Sequence, residues 1–164
     1  MDKKNTRIMA LDIGMKRTGV AMTDELLITA QPVTTFEHRT LKQLLAGIKY
    51  LTVDSKIGRI LIGYPRELDG RIGPKARQME RLSGKIRSFL ERELPGERIE
   101  IVLWDERLTT RQAEKVVIGS KLKNKAKSAA LDRVSAAIML EAYLESIRNS
   151  EFGMRNSELP PRQP

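Results

Sequence analysis

The order of apolar and polar positions divides the chain into short strands followed by helix-length segments. Residues 7–13, RIMALDI, form an apolar run of strand length that reads as buried on both faces, and GVAMTDE (19–25) can return beside it as a hairpin partner. LLITAQPVTTF (26–36) gives a third run, in which Pro32 implies an edge strand or a bulge. Three consecutive strands with short connections predict an antiparallel meander.

The period then changes. TLKQLLAGIKYLTVDSK places Leu41, Leu44, Leu45, Ile48 and Leu51 at helical spacing, and IGRILIGYP (57–65) follows as a compact strand ending at Pro65. Residues 75–93 predict a charged amphipathic helix with Met79, Leu82, Ile86, Phe89 and Leu90 on one side. After a loop at Pro95-Gly96 comes the strand RIEIVLW (98–104), then a helix from Thr109 to Gly119, a natural stop. SKLKNKAKS (120–128) carries four lysines and no acid, and reads as a mobile loop with Ser128 capping the last helix, AALDRVSAAIMLEAYLESIR. The tail after Asn149 holds three prolines and reads as disordered. The order βββαβαβα plus a final helix predicts one mixed α/β domain over residues 1–148, with 149–164 as tail. The final helix shows no separate apolar stripe that demands a partner.

Composition narrows the chemistry. With no cysteine, disulfides, thiolate metal sites and cysteine nucleophiles are excluded, and His38, in a polar stretch, reads as a surface residue. General bases and metal ligands must therefore be mostly carboxylates. No apolar run reaches the roughly 20 residues of a membrane span, and the start lacks a signal peptide, so a cytoplasmic protein with no membrane partner is expected. Thirty Lys+Arg against 21 Asp+Glu leave a net charge of +9, which favours a polyanion, with nucleic acid foremost. Aromatics are only 4%, too few for a surface of base-stacking platforms.

Three places put acids where stability alone would not. Asp12 ends the first strand on the face of Ile8 and Ala10, and Gly14 and Gly19 beside it admit a tight turn and close approach by a ligand. Asp105 and Glu106 follow Trp104 where the last strand leaves the sheet, with Arg107 next, able to neutralise an acid or contact a phosphate. Asp132, early in the final helix, shares the face of Ala136, Leu140, Tyr143 and Ile147, the stripe that packs on the sheet. Each has a plainer explanation, as a turn cap, a salt-bridged helix entry or a helix-dipole acid. Together, with almost no histidine available, they suit a hard cation, Mg²⁺ or Mn²⁺, and phosphodiester hydrolysis. If the strand carrying Asp105 and Glu106 lies two places from the first, the gap is about 10 Å, which favours the longer Glu106 as ligand while leaving Asp105 open. Lys16, Arg17 and Lys121, Lys123, Lys125 and Lys127 can then hold phosphates around the site.

Four blocks in order, ALDIGMKRTGVAMTD, ILIGYPRELDGRIGPKA, WDERLTTRQAE and KSAALDRVSAAIMLEAYL, resemble the YqgF-type (RuvX-like) family of RNase H-fold nucleases. The resemblance implies a ribonuclease H-like mixed five-stranded sheet of order 3-2-1-4-5, strand 2 antiparallel, flanked by helices. It implies a Mg²⁺- or Mn²⁺-dependent site built on Asp12, the Asp105–Glu106 pair and Asp132. It further implies maturation of the 5′ end of pre-16S ribosomal RNA, with rRNA precursor and ribosomal particles as partners, or cleavage of branched DNA as a Holliday junction resolvase. Gly63-Tyr64-Pro65 departs from the family's Gly-Leu-Pro, and Arg66, Arg71 and Lys75 in that block are candidate nucleic-acid contacts. Two other readings compete. An actin-like or sugar-kinase ATPase would need a second lobe and a second phosphate loop, which the chain does not supply. A non-catalytic RNA-binding assembly factor would keep the fold without using its acids.

Overall fold

The computed structural model describes residues 7–105 and 124–157, and for 124–125 and 151–157 only the course of the backbone. The strands are β1 (Arg7–Ile13), β2 (Arg17–Thr23), β3 (Ala30–Glu37), β4 (Ile57–Tyr64) and β5 (Glu100–Asp105); the helices are α1 (Leu41–Asp54), α2 (Pro74–Glu93) and α3 (Asn124–Ser157). They form one five-stranded sheet of order β3-β2-β1-β4-β5. β2 runs antiparallel to β1 and β3, whereas β4 is parallel to both β1 and β5. This is the expected ribonuclease H-like topology. The helix expected over Thr109–Gly119 lies outside the described residues.

Strand alternation sorts the apolar residues onto two faces. Met9, Leu11, Val20, Met22, Ile60 and Ile62 meet Leu44 and Ile48 of α1 and Ile86 and Leu90 of α2. On the other face Ile8, Ala10, Ala21 and Leu61 meet Ala136, Met139, Leu140, Tyr143 and Leu144 of α3. Ala10, Ala21 and Gly19 on this face are small, so the helix can lie close to the sheet beside them. The Thr40 hydroxyl accepts from the Gln43 amide to start α1, and Gly73-Pro74 starts α2 with the proline where no N–H is needed. Pro32 sits on the edge strand β3, where the register with β2 shifts between Val20 and Ala21, as a proline without a donor requires.

Three expectations are corrected. The last helix begins at Asn124, so Ser128 lies inside it and does not cap it, and residues 124–128 are helical where a loop was expected. Lysine and alanine are good helix formers, and alternating charge does not prevent them from continuing a turn. At its other end α3 runs to Ser157, beyond the boundary at Asn149, because the helix-breaking prolines begin only at Pro160. His38 is buried, not a surface residue: its Nε2 lies 3.0 Å from the Thr18 hydroxyl and its backbone N–H donates to the Lys16 carbonyl at 2.9 Å.

Candidate functional site

The site forms at the end of the sheet where β1 turns into β2. Asp12 continues the face of Ile8 and Ala10 and is the register partner of Gly19 on β2. Glycine is required there. A Cβ on Gly19 would stand 2.1 Å from both the carbonyl carbon and the oxygen of Asp132, so the bare strand is what lets the α3 backbone rest on the sheet. The close approach expected of a ligand at Gly19 is thus made by the protein's own helix. Its result is to seat Asp132 over the strand pair that carries Asp12. Thr35, the register partner of Gly19 on β3, fastens the same turn of helix by donating to the Ala129 carbonyl at 2.6 Å.

Asp12 has its carboxyl pushed up from the usual 3.8 to about 6, chiefly by burial, with the negative charge of Asp132 adding to the rise. A hydrogen bond from the Ser135 hydroxyl opposes it by favouring the ionised form. Asp132 in turn holds Arg17, whose Nε lies 2.9 Å from Oδ2, and the same guanidinium bonds the Ser128 hydroxyl. Arg17 is largely withdrawn from solvent, with 30% of its side chain exposed, so in this structure it neutralises an acid of the site. An acid whose ionised form is disfavoured by burial and by a second acid at the same sheet end can receive a further positive charge.

β4 lies next to β1, and the loop leaving it at Tyr64 starts from the same rim as Asp12. Arg66, Arg71 and Lys75 are exposed there, although Arg71 is tied to Asp69 at 2.5 Å. Lys16 is exposed on the β1–β2 turn, which Gly14 closes by donating to the Arg17 carbonyl at 2.8 Å. Lys127 is half-buried on α3, and of Lys125 only the backbone is described. Asp105 pairs in register with Tyr64, on the face of Ile101 and Leu103 that looks toward α2. The structure therefore brings Asp12 and Asp132 together and sets Asp105 on the opposite side of the sheet. Glu106, Arg107, Lys121 and Lys123 lie outside the described residues. Among the described residues no group of three or more acids or histidines could hold a metal ion.

Two participants escaped the sequence reading. Ser135 stands one helical turn after Asp132, a spacing that puts both on one side of α3, so its place at the site was available from the pattern. Ser128 reads from the sequence only as a cap; nothing local to it points to Arg17.

The family model described as "RuvX: Holliday junction resolvase" matches residues 6–146. The chain belongs to the RuvX family. A relative from Geobacillus kaustophilus, named "Putative pre-16S rRNA nuclease", is 38% identical over 148 residues, covering 87% of this chain and 99% of its own length. A second of that name, from Carboxydothermus hydrogenoformans, is 34% identical, with 84% and 95% covered. Among solved structures the fold is similar to fowlpox virus resolvase in complex with substrate Holliday junction DNA (TM-score 0.53, 14% identity, covering 87% of this chain and 99% of that one). It is also similar to T. thermophilus RuvC with a Holliday junction substrate (TM-score 0.52, 9% identity, covering 87% and 96%). At such identities these two likenesses concern the fold. Within the RuvX chain all four sequence blocks fall inside the matched span.

Proposed function

We propose that this RuvX-family protein is a divalent-metal-dependent nuclease that hydrolyses phosphodiester bonds, with the 5′ end of pre-16S rRNA as its target, in the cytoplasm. The observation that carries the reading is the meeting of Asp12 and Asp132 at one sheet end, enforced by Gly19. Burial of Asp12 beside the charge of Asp132 raises the free energy of its ionised form, which an added cation would lower. The donor set consists of hard oxygens and fits Mg²⁺ or Mn²⁺. Asp12, Asp132 and Glu106 would hold the ion; Asp105 is the weaker candidate because its strand position faces away from Asp12. When bound, such an ion activates water and offsets charge developing on the phosphodiester.

The chain's own residues supply the rest. Ser135 orients the Asp12 carboxylate and favours its ionised form. Arg17, at hydrogen-bond distance from Asp132, keeps a positive charge at the site. Lys16, Arg66, Arg71, Lys75, Arg107, Lys121, Lys123, Lys125 and Lys127 are assigned to backbone phosphates, contacts that position a nucleic acid without reading its sequence. The relatives named for pre-16S rRNA support RNA as substrate; ribosomal particles, which carry that RNA as it matures, belong to the proposal as partners. The family description supports branched DNA as a second reading.

The test is incubation of the purified protein with rRNA precursor and, separately, with four-way DNA junctions, each with Mg²⁺ or Mn²⁺ and with EDTA, beside Asp12→Asn. Cleavage of the precursor that requires the ion and Asp12 is expected. Junction cleavage alone would select the second reading, and cutting that survives both EDTA and the substitution would overturn the assignment.

A further inference from the structure

Helix α1 has more apolar surface than the sheet uses. Leu44 and Ile48 are buried, yet Leu41, Tyr50 and Val53 are 40%, 67% and 57% exposed. With Phe89 of α2 they border a groove of about 940 Å³ on the outer side of the α1–α2 layer. Lys42, Ala46, Tyr50 and Asp54 are all exposed, and their four-residue spacing makes them one ridge of the helix. Lys49 beside them is already bound to Glu93 at 3.0 Å, whereas Lys42 and Asp54 make no ion pair among the described residues.

We infer that this ridge is a self-association surface, and that its occupant is α1 of a second copy packed antiparallel about a two-fold axis. The order of residues along the ridge carries the inference. Reversal about its midpoint sets Lys42 against Asp54 of the other copy and Ala46 against Tyr50, so opposite charges face one another and the large side chain faces the small one. An isologous contact requires such self-complementarity, and it repeats each pair twice. A uniformly charged polyanion would be attracted at the Lys42 end and repelled at the Asp54 end. The surface lies across the sheet from Asp12 and Asp132, so both sites of the pair stay open. The inference does not depend on the reaction.

Sedimentation of the full chain between about 1 and 100 µM, the range of ordinary reversible association, tests it. A concentration-dependent dimer of twice the 18.6 kDa chain is expected. Lys42→Asp and Asp54→Lys should each weaken it roughly tenfold, since each places two like-charge pairs in the contact, and the double substitution should restore it to within about threefold. Tyr50→Asp should leave a folded monomer, because the side chain is exposed in the single copy. A monomer across the whole range, or a dimer that the double swap fails to restore, overturns the inference.

Discussion

At the scale of single residues, the site rests on a carboxyl group placed where it is uncomfortable. Asp12 titrates at about 6 in the fold against 3.8 in an open chain. A raised carboxyl disfavours the folded state once ionised: stability is greatest below the unfolded value and falls as pH rises from about 4 to about 6, by about 2–3 kcal/mol in all. Asp12→Asn removes that cost. Without metal, the variant should melt several degrees higher than the parent at pH 7.5 and nearly level with it at pH 4, while losing at least about a thousandfold in cleavage rate. Calorimetry in EDTA at the two pH values, with a rate measurement in Mn²⁺, checks both halves. His38 carries a related lesson. Its neighbours in sequence are polar, but the chain folds it against Thr18, and burial lowers its pKa so that it stays neutral near pH 7.

At the scale of elements, the docking of α3 on β2 decides whether there is a site. Gly19→Ala would drive a methyl group into the Asp132 backbone, which cannot yield as a flexible side chain can. A loss of about 3 kcal/mol or more in urea unfolding is expected, together with weaker metal binding, whereas Gly84→Ala on α2, where an added Cβ meets nothing, should be neutral or slightly stabilising. Much of this level is legible in the sequence. Alternation along β1 put Asp12 with Ile8 and Ala10, and helical periodicity put Asp132 with Ala136 and Leu140. Their meeting could be argued from those two patterns. What Gly19 makes room for could not, because the Arg17–Asp132 ion pair that marks the contact joins residues 115 apart in sequence. Helix ends are less legible for a local reason: alternating lysines resemble a loop, and a polar tail resembles disorder even before its prolines are reached.

At the scale of the whole molecule, the net charge of +9 and the exposed cations near the rim predict binding governed by phosphates. Affinity for RNA should fall linearly on a logarithmic salt scale. Substituting Lys16 or Arg66 by alanine should weaken binding similarly for unrelated sequences and reduce the slope by about 1, as measured by fluorescence anisotropy across salt concentrations. Arg17→Ala should behave differently, since its guanidinium is engaged by Asp132: a smaller change in slope with a larger change in metal affinity is expected. The strand order was readable only through resemblance, because hydrophobic runs give the existence of strands and not their neighbours.

The most direct measurement is calorimetric titration of Mn²⁺ into the parent protein, Asp12→Asn, Asp132→Asn, Glu106→Gln and Asp105→Asn. Asp12→Asn, Asp132→Asn and Glu106→Gln should each lose about tenfold or more in affinity, with Asp105→Asn close to the parent. Unchanged binding in Asp12→Asn and Asp132→Asn would contradict a shared metal site at the sheet end.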